Sequence, residues 1–391
     1  MKPMGSKTVR EVVEFIPARL YKEVHIQHSY ECTCHDPRHE VKPIKTAALP
    51  TPVIQRSLAG AGVLAWLFHQ KFELHLPLYR QVDEWKLYGL EVSRQTLTNW
   101  VIRPAMDWLK PIYDLLHTHL MDVSVLHADE TPYQILMRSD GKPGTSESRI
   151  WEVRTTPDEQ RPIILYHSSL TRSKAEASKL LSGFEGYLHT DGYSAYKQLP
   201  SITQVGCWTH VRRKFKDVAS EMGSAKVAIN KINQLFKKER TLKELSPEER
   251  KKRRKLELAP LIHNFYSWLA TLNASPKSNL GKAVGYAQNQ KEALLRVLED
   301  GRLQLSNNSC EQLIRPIALG RKNHLFSTSE KGATANVIAY TLIHTAKMNG
   351  VNPYKYLTHL FTHLPNTDFI RNPKLLDAFL PWNPSIQEQC R

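Results

Sequence analysis

Long apolar runs are missing from this 391-residue sequence. The longest, Val63-Leu64-Ala65-Trp66-Leu67-Phe68, is closed by His69 and Gln70, far short of the ~20 residues that cross a bilayer. No apolar segment follows Met1-Lys2-Pro3-Met4-Gly5, so a secretory signal is not expected. Cysteine is scarce and odd in number: Cys32, Cys34, Cys207, Cys310 and Cys390. That argues against a disulfide framework and suits a reducing, cytoplasmic setting. Internal repeats and low-complexity tracts are absent. Acidic residues are also in deficit, 38 against 54 Lys and Arg, which leaves a net charge of +16 and a pI near 9.5. Such a balance calls for a polyanionic partner, nucleic acid before a membrane surface, and places the protein with the nucleoid.

What is present divides the chain by period. Residues 1–52 open with loose alternation over 9–30, suited to one or two short strands. Two Cys, two His and four Pro follow within 31–52, as an irregular segment or a small metal knuckle. Residues 53–120 are helical in pattern. Within them Tyr79 to Leu90, a turn at Gly89, and Ser93 capping a helix from Arg94 to Ile102 read as a helix-turn-helix or as two ordinary packed helices. Over 121–215 the period changes. Five short apolar or β-branched runs begin at Val123, Arg149, Pro162, Gly186 and Ile202, and turn residues separate them. They predict a five-stranded mixed sheet in an α/β core. Residues 216–300 return to charged helix, read as a basic insertion, and 212–255 hold 16 Lys/Arg against 6 Asp/Glu. Residues 301–364 complete the core, with helix again from Lys331 to Leu364, and 365–391 form a tail.

Three carboxylates stand in patterned settings: Asp129 in His127-Ala128-Asp129-Glu130-Thr131-Pro132, Asp191 in Thr190-Asp191-Gly192-Tyr193, and Glu311 in Asn307-Asn308-Ser309-Cys310-Glu311. The first two follow strand-like runs and the third opens a helix. Cleavage of a phosphodiester requires a nucleophilic oxygen at neutral pH and charge compensation at the leaving oxygen. Two Mg²⁺ ions held by a few carboxylates supply both. In each strand a His precedes the Asp by two, on the same face (His127, His189). Each carboxylate also has a simpler reading. Asp191-Gly192 is a turn pair, Asp129 a helix cap before Thr131, and Glu311 the return partner of a capping box begun by Asn308.

Those three segments resemble the insertion-sequence-66 (IS66) family of bacterial transposases. So do Gly206-Cys207-Trp208-Thr209-His210-Val211-Arg212-Arg213-Lys214-Phe215, Ile314-Arg315-Pro316, Ala318-Leu319-Gly320-Arg321-Lys322-Asn323, Thr345 through Val351, and Leu76-Pro77-Leu78-Tyr79-Arg80-Gln81 with Ser93 to Leu97. The likeness runs from about Val12 to Leu364. It implies a DDE transposase with an RNase H-like (retroviral-integrase-type) core. Asp129, Asp191 and Glu311 would bind Mg²⁺, for which Mn²⁺ can substitute. Cys207 and His210 fall at family positions and read as structural residues near the site. Cys32, Cys34, His35 and His39 match the second half of the family's zinc-knuckle region with a changed spacing, which leaves zinc open. The family's upstream helical segment and first Cys pair are not seen, as if the chain starts late, and Gln312 stands where the family has Arg.

Around these carboxylates, Arg212, Arg213, Lys214, Arg315, Arg321 and Lys322 are candidates for holding DNA phosphates. The six cations Arg250 to Lys255 are expected to contact DNA as well, whereas Trp151 and Trp208 read as core. The implied reaction is hydrolysis at mobile-element ends and transfer of the 3′-OH strand to target DNA by a homo-oligomer, with element-encoded accessory proteins as further partners. Two rivals are a shortened, catalytically idle DNA-binding regulator and a metal-dependent nuclease without strand transfer.

Overall fold

A computed structural model of the chain describes residues 4, 10–13, 18–33, 44–145, 147–197, 199–219 and 223–391. Within 9–30 its described residues form strand only at β1 (Ser29–Glu31), an exposed antiparallel partner of β2 (Ile44–Thr46). Helices α1 (Ala61–Phe68), α2 (Leu78–Leu87), α3 (Arg94–Pro104) and α4 (Lys110–Met121) follow. Ser93 caps α3 by accepting from the Thr96 amide at 3.0 Å, and Gly89 turns the chain between α2 and α3 at φ +81°. A wide π turn, Ala105–Leu109, joins α3 to α4 just before Pro111. A second, Arg254–Leu258, precedes Pro260 in the same way. Proline lacks an N–H and crowds the carbonyl four residues back, and a widened turn relieves both.

The sheet-forming runs become β3 (Val125–Pro132), β5 (Arg149–Thr155), β6 (Ile164–Ser169), β7 (Gly186–His189) and β8 (Ile202–Val205), with β4 (Gln134–Met137) between the first two. Helix α5 (Lys174–Leu180) lies between β6 and β7. The order is β6-β5-β3-β7-β8. β3 is central, antiparallel to β5 and parallel to β7; β6 continues the antiparallel side and β8 the parallel side. This is the mixed five-stranded α/β sheet expected from the sequence.

After α6 (Trp208–Lys216) come α7 (Ser224–Arg240), α8 (Pro247–Arg253), α9 (Ala259–Ala270), α10 (Asn279–Asn289) and α11 (Lys291–Leu295). They close a core on the β8 side around Val205, Trp208, Phe215, Ile232 and Phe265. The chain then returns through α12 (Asn308–His324), β9 (Phe326–Ser329), α13 (Glu330–Met348), α14 (Pro353–His363) and α15 (Pro384–Gln389). β9 pairs with β4 in parallel, a contact with no signal in the sequence. The stretch from Lys331 to Leu364 is helical as expected, in two helices separated at Gly350 (φ +72°), with Pro353 opening α14.

α13 covers the open edge of β6. The Ile164 and Tyr166 amides donate to the Thr345 and Thr341 hydroxyls at 3.1 and 2.9 Å, which satisfies an otherwise bare strand edge. Residues 365–391, expected as a tail, instead bury Leu376, Phe379, Leu380 and Ile386 in the main core. Hydrophobic burial fastens them there, and the Asn352 amide adds a bond to the Cys390 carbonyl at 2.7 Å.

The cation run from Arg250 to Lys255 is not a uniform DNA-facing surface. Arg254 is buried, bonded to Glu239 and to the Val297, Asp300 and Leu303 carbonyls. Arg250 binds the Leu242, Leu245 and Gly301 carbonyls, and Arg253 pairs with Glu257. A six-residue block on a helix must turn some members inward, and the π turn places Arg254 there. Arg254→Ala is expected to cost about 3–5 kcal/mol, because it leaves Glu239 and several buried carbonyls unpartnered. Lys255→Ala, at an exposed position, should stay within about 0.5 kcal/mol. Urea unfolding of both variants measures the difference.

Candidate active site

Asp129 lies inside β3, which runs on to Pro132, so it caps no helix. Its Oδ1 accepts only from the next amide, Glu130 N, at 2.9 Å. Asp191 follows β7 in a tight turn, so the turn reading of Asp191-Gly192 is also true. Oδ1 accepts from Tyr193 N at 2.8 Å, and Gly192 sits at φ +89° with Gln290 packed against it. Asp191 Oδ2 lies 3.9 Å from Arg172 Nη2. Glu311 lies in the first turn of α12, but no side chain caps that helix and no capping box forms. The Glu311 carboxylate instead reaches α6, with Arg213 Nη2 donating to Oε2 at 2.8 Å and His210 Nε2 lying 3.6 Å from Oε1.

Asp129 lies within electrostatic reach of the other two carboxylates. Burial pushes Asp129 up to about 7, helped by the charge of Glu130 and then by those of Asp191 and Glu311. Three oxygen donors under mutual repulsion, with Glu311 Oε1 buried and lacking any hydrogen-bond partner, have the chemistry that a hard divalent cation satisfies. The arrangement is not a closed cage. Among the described residues no three His, Cys, Asp or Glu side chains are set to ligate one ion. Glu311 would have to release Arg213 in order to bind.

The candidate cations divide by environment. Arg315 and Lys322 are exposed, with no ion pair among the described residues. Glu311, Arg315 and Lys322 are spaced by four and seven residues, so they share one stripe of α12. Lys214 lies 5.8 Å from the ring centroid of Tyr286, whose hydroxyl donates to the Asp191 carbonyl at 2.6 Å. Arg212 donates to Asn233 at 2.8 Å and ties α6 to α7. Arg321 is turned inward, donating to the Pro132 carbonyl and, at 3.4 Å, to the Thr131 hydroxyl. Cys207 is buried, and its Sγ accepts from Asn307 N at 3.2 Å, beside the Glu311 helix. Of the zinc candidates, Cys34, His35 and His39 lie outside the described residues and only Cys32 lies within them.

Two residues at the site went unnoticed in the sequence. Arg172 bonds Glu130 through Nε at 2.6 Å, lies 3.9 Å from Asp191 Oδ2 and stacks 3.6 Å from the Tyr193 ring centroid. It follows β6 in a segment with no pattern. Glu152, the cross-strand partner of Asp129, is fully buried. Its one neighbouring donor among the described residues is the Cys310 thiol, which offsets the burial only in part. Burial lifts Glu152 well above the carboxylate range, so it is a neutral acid beneath Asp129. A lone Glu inside Arg149-Ile150-Trp151-Glu152-Val153 was the available signal.

Because Asp129 titrates near 7 when folded and near 3.8 when unfolded, the folded chain binds more protons between those values. Its contribution to stability is therefore complete below the unfolded value and is lost as pH rises through about 7. Asp129→Asn should raise the melting temperature of the metal-free protein at about pH 8 and flatten the pH dependence below it. Thermal melts at several pH values, with and without Mg²⁺, check this. Mg²⁺ should stabilise the wild type and not the variant.

Residues 56–335 match the Transposase IS66 family, residues 341–382 its C-terminal element, and residues 1–35 the zinc-finger binding domain of transposase IS66. Two Sinorhizobium fredii proteins, y4jD and y4hP, both named as uncharacterized, are 30% and 28% identical over 96% of this chain, and the matches cover 75% and 70% of their own lengths. A third from that organism, y4qI, is 30% identical over 86% of this chain and 65% of its own length. With a family match across more than half of the sequence, the chain belongs to the IS66 family of transposases.

Proposed function

We propose that the chain is a divalent-metal-dependent DDE transposase on an RNase H-like core, with Asp129, Asp191 and Glu311 as the metal-binding triad. One observation carries this reading. Asp129 on a central strand, pushed up to about 7 by burial and by Glu130, also feels the charges of Asp191 at the end of the parallel neighbour strand and of Glu311 on a later helix. The strand order, with the first strand of the sheet central and flanked by one antiparallel and one parallel neighbour, supports the RNase H-like assignment. When bound, Mg²⁺ or Mn²⁺ supplies Lewis acidity toward the attacking and leaving oxygens of a phosphodiester.

The protein's own groups do the rest. Asp129, Asp191 and Glu311 hold the charge that the cations neutralise, and Glu152, neutral below them, adds none. Arg213, once released from Glu311, and Arg172, stacked on Tyr193, stand where a scissile phosphate would sit. Arg315 and Lys322 continue the positive stripe along α12 and suit a strand leading away from the cut. The expected reaction is cleavage at mobile-element ends and attack of the 3′-OH on target DNA, by a homo-oligomer aided by accessory proteins and associated with the nucleoid. Cys207 and His210 would brace the Glu311 helix, and a zinc-binding N-terminal module would add contact to the ends. The segments read as modules are the partial zinc knuckle (1–52), the helical DNA-binding region (53–120), the core (121–215 and 301–364) split by the basic insertion (216–300), and the C-terminal segment.

The Arg213–Glu311 pair and the open carboxylate arrangement favour one rival, a catalytically idle regulator that binds element ends. Mg²⁺-dependent cleavage of DNA carrying those ends separates the two. Wild type should cut and Asp191→Ala should fall to background, whereas binding without cutting by both would support the regulator.

The cations make a second expectation. Lys322→Ala should lower the slope of log affinity against log salt by about 1, since one phosphate contact is lost. Arg321→Ala should leave that slope unchanged and lower stability instead. Fluorescence anisotropy across a salt series and parallel thermal melts measure both.

A further inference from the structure

The two histidines that stand two residues before the aspartates are used for something other than metal or DNA. His127 and His189 are fully buried on neighbouring strands, their rings stacked 4.3 Å apart at 10°. Each receives a different point of the segment that leads into α12. Gln304 N donates to His189 Nε2 at 3.1 Å. Asn307 Oδ1 lies 2.8 Å from His127 Nδ1, and Asn307 Nδ2 donates to the Ala128 carbonyl at 2.8 Å, next to Asp129. The Asn307 carbonyl then accepts from the Glu311 amide at 3.2 Å.

The bonding decides the tautomers. Asn307 gives its N–H to Ala128, so its oxygen must accept and His127 must carry its proton on Nδ1. His189 accepts at Nε2 and so carries its proton on Nδ1. The two rings stack face to face, 4.3 Å apart. Each ring meets the segment through one nitrogen, the other (His127 Nε2, His189 Nδ1) having no hydrogen-bond partner among the described residues, and a slip would also unpair these two contacts and the Asn307 amide in a low dielectric.

We propose that His127, His189 and Asn307 are positioning residues that register the Glu311 segment against the strands bearing Asp129 and Asp191. Three carboxylates far apart in sequence thereby keep one mutual spacing. The clamp itself is geometric; its functional consequence rests on reading the three carboxylates as metal ligands.

The test uses the full-length chain and two variants. His127→Asn keeps an N–H near the Nδ1 position, and His127→Leu keeps bulk without it. Hydrogen exchange over residues 304–312 reads the clamp without metal, and Mn²⁺ titration reads its consequence, with Asp129→Asn as the reference. His127→Leu should speed exchange more than about tenfold and weaken Mn²⁺ binding about 10- to 100-fold, in the range for groups that orient metal ligands. His127→Asn should stay near wild type in both. Unchanged exchange in His127→Leu overturns the clamp. Faster exchange with unaltered Mn²⁺ affinity, while Asp129→Asn abolishes binding, reduces it to a structural contact and overturns the positioning role. If Asp129→Asn itself leaves Mn²⁺ binding intact, the metal reading fails and the proposal with it. Should His127→Leu not fold, Asn307→Ser is read by the same two measurements.

Discussion

Asp129 is buried in the central strand with Glu130 beside it and Asp191 and Glu311 close by, and repulsion among these carboxylates is what the surrounding side chains answer. Removing a carboxylate from water is costly unless a positive charge or a donor stands near. Here the compensation comes from all sides: Arg172 from the loop after β6, Tyr196 from the turn after Asp191, and Arg213 from α6. Asp129 accepts from the Glu130 amide alone among the described residues and has no cation of its own, so burial pushes it up to about 7. A fold that holds such a group in place accepts some instability above the pH at which that group ionises.

That constraint also explains the secondary layer of buried polar groups. Glu152 lies across the strand from Asp129 and stays neutral, so it adds no further charge. The stacked histidines and Asn307 occupy the ground between the two aspartate strands and the start of α12, each ring bonded to that segment through one of its nitrogens. The basic excess of the chain is likewise sorted. Arg254, Arg250, Arg212 and Arg321 satisfy carbonyls or side chains of the fold, while Arg315, Lys322 and Lys214 remain available to an anionic partner. Net charge identifies the class of partner and does not identify which cations meet it.

Much of the architecture was legible along the chain. The five strand runs, the capped helix at Ser93 and the turn at Asp191-Gly192 are local patterns, decided by alternation, a hydroxyl cap and a left-handed glycine. The three carboxylates were visible because each interrupts or ends such a pattern. Other features carried no local mark. The β4–β9 pair joins segments almost 200 residues apart. The threonines of α13 that satisfy β6 look like ordinary helix positions, and the last 27 residues look like a tail until Leu376, Phe379 and Ile386 meet the core.

Residue order alone determined the period of each element, the carboxylate set, the basic character and, through its motifs, the family. Tertiary structure decided which charges face one another. Arg172 enters the site only because the sheet brings the end of β6 to the turn after β7. Arg254 leaves the surface only because a π turn rotates it inward, and His127 and His189 acquire a common task only when parallel strands set them in register. The physical reason is range. Backbone preference and hydrophobic period act over a few residues and can be read in order, whereas desolvation and Coulomb forces act through space on whatever the fold makes adjacent.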